Sequence, residues 1–170
     1  MRQTYILTLI CFFCVQSQLL AQEYTRQDTV RGSITEERSW WDLKYYNLDV
    51  TVNPNSRLIH GKNTIHYKVL ESNKRMQIDL QIPMQLTKAT QQGKSLKIDH
   101  DGNAHYINIE SPQVKNSVDS ITVHFKGRPK VAVRPPWDGG FTWTKDQNGI
   151  DFIATTCQGI GASVWWPNKD

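Results

Sequence analysis

The chain is poor in cysteine: three among 170 residues, and two of these, Cys11 and Cys14, sit in an uncharged apolar run near the start. Removal of that run would leave Cys157 alone, so an internal disulfide is excluded and stability must come from a packed core. The run itself is shorter than the roughly 20 residues a membrane-spanning helix requires. No window of a dozen residues repeats its apolar side chains at 3.6-residue spacing, which excludes amphipathic helices as the main building unit. The string H-E-x-x-H is missing, so a zinc site on a helix cannot be assigned. Basic residues lie singly between acids, without the clustered basic face that nucleic acid needs.

What is present begins with a leader. Arg2 is followed by the uncharged stretch Tyr5–Val15, a short polar segment and Ala21, the form of a secretory signal peptide over residues 1–21. A lipid-bearing cysteine wants a small residue before it, whereas Ile10 and Phe13 precede Cys11 and Cys14. Cleavage after Ala21 is therefore expected, with export to a periplasmic or extracellular location and no stable membrane anchor. The mature piece of 149 residues carries 19 Lys plus Arg against 16 acids, a net +3, and has room for one domain but not for a second, catalytic one.

Residues 22–38 have few apolar positions and many charges and are expected to form a flexible lead-in. From Trp40 the pattern changes. Tyr46, Leu48, Val50 and Val52 alternate with polar residues up to Asn53-Pro54-Asn55, and Asn63, Ile65, Tyr67 and Val69 repeat the alternation. Met76, Ile78, Leu80 and Ile82 form a third set, ended by Pro83. Leu96 and Ile98 lead through Asp101-Gly102-Asn103 to Ile107 and Ile109, a hairpin whose Asp-Gly supplies the positive φ of a tight turn. Ile121, Val123 and Phe125 follow, stopped by Gly127 and Pro129. A last hairpin joins residues 141–144 to 150–155 through Lys145-Asp146-Gln147-Asn148-Gly149, and residues 131–140, rich in Pro and Gly, read as a loop. The fold class is all-β: a single antiparallel domain, a saddle-like sheet or sandwich, over residues 39–170.

Candidate chemistry is sparse. His100 and His105 flank the Asp-Gly turn, but no Cys or Glu completes a metal set, and turn histidines in solvent are the expected reading. His60, His66 and His124 lie in strand patterns without carboxylate partners. Cys157 lacks the neighbouring base or helix N-terminus that would activate a thiolate, so a small buried residue is expected. The tryptophans, Trp40, Trp41, Trp137, Trp143, Trp165 and Trp166, suit either core and interface anchors or a sugar-binding platform. Gln158 stands at a strand end before Gly159-Ile160-Gly161, where it either caps a turn or aims one amide at a ligand.

The segment TTCQGIGASVWWPNKD, residues 155–170, resembles the end of the N-terminal domain in the zinc aminopeptidase family of aminopeptidase N and leukotriene hydrolase. WWDLKYYNLDVTVNPNSRLIHGKNTIHY resembles that family's opening strands, and SVDSITVHFKGRP, residues 117–129, the strand that closes its hairpin region. The resemblance implies a saddle-shaped β-domain preceding a zinc-bearing catalytic domain. It also implies that Gln158 accepts a hydrogen bond from the free α-ammonium of a peptide substrate, with Gly159 and Gly161 shaping its loop. An ammonium offers three donors and no acceptor, so an amide carbonyl is a suitable partner. Where many relatives carry an Arg before a Pro-x-x-Asp stretch, this chain has Ser163-Val164-Trp165-Trp166-Pro167-Asn168-Lys169-Asp170, closer to a bacterial exported subgroup. The zinc helix, the G-x-M-E-N strand and the catalytic Tyr belong, by this resemblance, to sequence beyond residue 170.

The expectation is thus a non-catalytic N-terminal domain of an exported zinc aminopeptidase, binding no cofactor itself and docking to a catalytic domain. Without that domain it is expected to have no peptidase activity. The competing expectation is a free-standing secreted β-sandwich that binds protein or glycan through an aromatic face.

Overall fold

A computed structural model describes residues 25–170; the expected leader and residues 22–24 lie outside the described residues. The fold is all-β and antiparallel. Strands β1 (Trp41–Asn53), β2 (Leu58–Val69), β3 (Arg75–Asp79), β4 (Gln85–Gln91), β5 (Lys94–Asp101), β6 (Ala104–Asn108) and β7 (Val118–Gly127) build one curled sheet. Its order is β1-β2-β7-β4-β5-β6-β3, and β8 (Gly140–Lys145) pairs with β9 (Asp151–Thr156) as a separate hairpin.

Alternation decides which face is inside. On β2, Ile59, Asn63, Ile65, Tyr67 and Val69 are buried, while His60, Lys62, Thr64 and His66 face outward. Ile121, Val123 and Phe125 of β7 face the same interior, opposite Ile65, Asn63 and Gly61. Each such aliphatic or aromatic side chain contributes about 1.5–3 kcal/mol on burial. A bulge between Leu43 and Tyr45 shifts the phase of β1, so that Leu43 and Tyr46, an odd and an even position, both pack on the core. Tyr67 is its hub: Trp40 and Trp41 meet it edge-on at 5.7 and 6.0 Å, and its hydroxyl donates to Gln113 (2.9 Å) while accepting from Gln91 (3.1 Å).

Both expected hairpins form. Gly102 takes φ 60° in the turn from β5 to β6 and Gly149 φ 80° in the turn from β8 to β9, conformations that L side chains adopt only with strain. Strand β4 was hidden from the sequence pattern by a bulge between Leu86 and Lys88, which breaks the period of two. The third alternating set is shorter than expected: β3 ends at Asp79, and Ile82 is 71% exposed.

The expected flexible lead-in carries two short helices instead, α1 (Arg26–Gly32) and α2 (Glu36–Ser39). Thr25 and Asp28 form a reciprocal capping box at the start of α1. Arg26 makes two hydrogen bonds to the Asp101 carboxylate (2.8 and 2.6 Å), and Gln27 Oε1 accepts from the Asn103 amide (3.1 Å). These helices and the chain end cover one face of β3, so Gln77 and Asp79, which alternation would send to solvent, are buried together with Arg38. Asp79 exchanges backbone hydrogen bonds with Asn168 (2.8 and 3.1 Å), and the Lys169 ammonium donates to Trp41 O (2.7 Å) over the Trp41 ring.

Candidate functional site

The chain leaves β9 at Thr156, whose hydroxyl donates to Asp138 O (3.0 Å). Cys157 O then accepts from the amides of Ile160 (3.3 Å) and Gly161 (2.9 Å), closing a turn with Gln158 at its first inner position. Gly159 and Gly161 both lie in the left-handed region, at φ 72° and 73°. Open space surrounds Gly159, so only its backbone angle calls for glycine. A methyl on Gly161 would also collide with the Asp170 carboxylate and the Arg31 guanidinium. On the opposite side Gly139 lets Ile160 and Gln158 O approach a backbone that any side chain would push away.

A second layer pins the turn from beneath. The Gln81 side-chain amide donates to Ile160 O and to Ser163 Oγ (2.8 Å), and Gln81 N donates to Ser163 O (2.8 Å). Ser163 Oγ donates in turn to Asp170 Oδ2 (2.6 Å), which also accepts from Arg31 Nε (3.0 Å). Gln81 and Asp170 lie 79 and 10 residues away from Ile160 in sequence and were not foreseen, since no local motif joins them to the turn. Gln158 itself is exposed, and among the described residues its side chain has no hydrogen-bond partner. The backbone is therefore fixed while one amide, an acceptor and a donor, is presented to solvent.

Beside this turn lies the loop from Val131 to Gly139. The Asp138 carboxylate accepts from the amides of Val133 (2.6 Å) and Arg134 (2.7 Å), and these hydrogen bonds, Val133 first, hold its pKa below the usual aspartate value. Val133 and Trp137 are 81% and 77% exposed, and Ile150 and Phe152 on the neighbouring hairpin also face solvent. The tryptophans divide. Trp40 and Trp41 are core, Trp165 and Trp166 pack on Phe141 and Tyr46 of this same domain, and Trp143 is half-buried with its Nε1 unpartnered. Cys157, expected to be buried, is half-buried.

The histidine expectation changes in part. His100 is exposed, but His105 is buried, because it lies on β6 between β3 and β5. Its Nε2 is 3.1 Å from Leu80 O and its Nδ1 is 2.7 Å from His100 Nδ1. Among the described residues no three His, Cys, Asp or Glu side chains converge. Among them, too, no helix is long and apolar enough to cross a membrane.

No protein-family model matches the chain, and no curated protein matches it. Solved structures do. The M1 zinc metallopeptidase from Deinococcus radiodurans is similar at TM-score 0.57 and 16% identity, over 78% of this chain and 30% of that one. A mutant of that enzyme bound to a Tyr-Ser-Ala substrate matches at TM-score 0.57 and 15% identity, over 79% and 30% of the two chains. Yeast LTA4 hydrolase in complex with bestatin matches at TM-score 0.63 and 15% identity, over 89% of this chain and 23% of that one. The chain thus spans less than a third of the length of these proteins. Its fold is that of the N-terminal β-region of such metallopeptidases.

Proposed function

We propose that the chain serves as the non-catalytic N-terminal domain of an exported zinc aminopeptidase, and that Gln158 helps to hold the substrate's α-ammonium. The observation that carries this reading is the Gln158 turn. Its backbone is fixed by Cys157 O and the Gln81 layer, while its amide side chain is exposed. A site of that build fits a ligand group that needs an acceptor. An α-ammonium donates three hydrogen bonds, and the Gln158 carbonyl, presented without competing donors, accepts one of them. Fixing that charge sets the position of the first peptide bond relative to a following catalytic domain. Zinc, held there by residues outside this chain, supplies the Lewis acid for hydrolysis.

The exposed Val133, Trp137, Ile150 and Phe152 supply the apolar surface against which such a domain would dock. Gly159 acts through the turn it shapes. The test uses the parent protein and peptides with free or acetylated amino termini. Loss of one hydrogen bond to a charged group, about 1.5–3 kcal/mol, corresponds to a fall of roughly 10- to 150-fold in kcat/KM. Gln158→Ala is expected to show that loss on free peptides with zinc content unchanged. Equal kinetics of variant and parent would remove the assignment.

A second reading rests on the exposure of Trp137: a secreted module that binds glycan through this aromatic face. Binding of a soluble glycan by the chain, abolished by Trp137→Ala, would favour it over the aminopeptidase reading.

A further inference from the structure

Two imidazoles face one another across the β5–β6 hairpin, away from the Gln158 turn. His100 and His105 are direct partners in the ladder, with ring centroids 4.9 Å apart and planes at 80°. Their Nδ1 atoms are separated by 2.7 Å. His105 is 5% exposed, and its Nε2 lies 3.1 Å from the carbonyl oxygen of Leu80. A carbonyl can only accept, so Nε2 carries the hydrogen and the Nδ1 lone pair points toward His100. One ring nitrogen anchored to a main-chain acceptor and the other presenting a lone pair is how proteins prepare a histidine for a metal.

The geometry points to a two-histidine site for a borderline divalent transition metal, Zn²⁺, Cu²⁺ or Ni²⁺, at Nδ1 of His100 and His105. Nitrogens at about 2.0–2.1 Å from a metal are about 2.9 Å apart at a right angle and about 3.3 Å apart at a tetrahedral one, so the 2.7 Å pair need open only slightly. In the absence of metal the same pair shares one hydrogen, His100 donating to His105. Carboxylates are kept out: Asp99 and Asp101 occupy the alternate positions of β5, where Asn108 (3.0 Å) and Arg26 (2.8 Å) donate to them. A pair of imidazoles without oxygen ligands disfavours Ca²⁺ and Mg²⁺.

With two protein ligands, and His100 exposed, the remaining coordination positions belong to water or to a small exogenous ligand. Such a site binds exchangeably. Its metal would clamp β5 to β6 at the turn whose Asp101 and Asn103 hold α1 through Arg26 and Gln27.

The test titrates the full chain, carrying no polyhistidine tag, with Zn²⁺ and with Ni²⁺ by calorimetry, and records the electron paramagnetic resonance spectrum of one equivalent of Cu²⁺. One strong equivalent with two coupled imidazole nitrogens is expected. His100→Asn, on the exposed side, should weaken binding by at least about tenfold, its stability being followed alongside because the ring donates to buried His105. His105→Gln should do the same, its stability being followed separately because the ring is buried. Replacing His60, His66 and His124 together should leave the affinity as it was. Absence of binding, parental affinity in His100→Asn, or loss confined to the variant lacking His60, His66 and His124 would each overturn the site.

Discussion

Replacing Arg38 by methionine isolates the charge of Asp79. The two side chains are 7% and 3% exposed, with Arg38 Nη2 3.6 Å from Asp79 Oδ2. At an effective dielectric constant of about 20, opposite charges at that separation attract by about 4–5 kcal/mol. Burial opposes this, and it prevails: desolvation raises the Asp79 pKa above 3.8 although the Gln77 hydrogen bond and the Arg38 charge pull it down. The folded state therefore binds the Asp79 proton more firmly than the unfolded chain does. That contribution to stability is fully present below 3.8 and is lost as pH rises through the folded value.

Without Arg38 the carboxylate has no cation beside it and is driven to its protonated form. Protonating an aspartate of ordinary pKa costs about 1.4 kcal/mol per pH unit, and because the parent's folded Asp79 already carries part of that cost, the added penalty stays below about 4 kcal/mol near pH 7 and below about 1.5 kcal/mol near pH 5. Arg38→Met should thus lower the unfolding free energy by about 2–4 kcal/mol at neutral pH, near the usual cost of breaking a buried pair, and by less near pH 5. The lost Arg38 hydrogen bonds to Arg31 O and Ser33 O add a part that does not vary with pH. Urea unfolding of parent and variant at both pH values measures it. A destabilisation equal at the two, or below about 1 kcal/mol at neutral pH, would refute the reasoning. Adding Asp79→Asn should abolish the pH dependence of the difference.

Three further outcomes are expected. Gly161→Ala should cost about 1–2 kcal/mol for the left-handed backbone alone, and more because the methyl displaces Asp170 from Arg31; a melting temperature equal to the parent's would contradict the packing. Tyr67→Phe removes the hydroxyl that joins Gln91 to Gln113 and should destabilise by about 1–3 kcal/mol in chemical denaturation, a neutral result meaning that those amides find other partners. Gln158→Ala should leave thermal stability unchanged, which separates its proposed role in binding from a role in folding; a marked fall in melting temperature would show the side chain to be structural.

Legibility in the sequence followed the number of faces a strand has to cover. Strands β2 and β7 have one covered face, and their alternation named Ile65, Tyr67, Val123 and Phe125 as core residues correctly. Strand β3 is covered on both faces, so Met76 and Ile78 were found while Gln77 and Asp79 passed for surface. The missing information lay about 40 residues upstream: Thr35 Oγ1 donates to Gln77 (3.2 Å), and Arg38 pairs with Asp79. A segment rich in charge reads as a solvated arm when its partners are distant, because charge alone does not reveal that an arginine will be buried. His105 was misjudged for the same reason, since nothing beside the turn announces that β3 will close over it.

The Gln158 turn was legible in its glycines and invisible in its support. Gly159 and Gly161 signalled a turn, but what fixes its left-handed backbone comes from Gln81, Ser163 and Asp170. Asp170 is shared. It binds Arg31 at the end of α1 and Ser163 under the turn, and its amide is 3.4 Å from Asp79. The helices that precede the sheet, the buried Asp79 and the Gln158 turn are thereby parts of one hydrogen-bonded network. A change at Arg38 should loosen Gln158 as well as weaken the fold, which gives the lead-in helices a reason to be docked: they steady, from beneath, the turn that presents the amide.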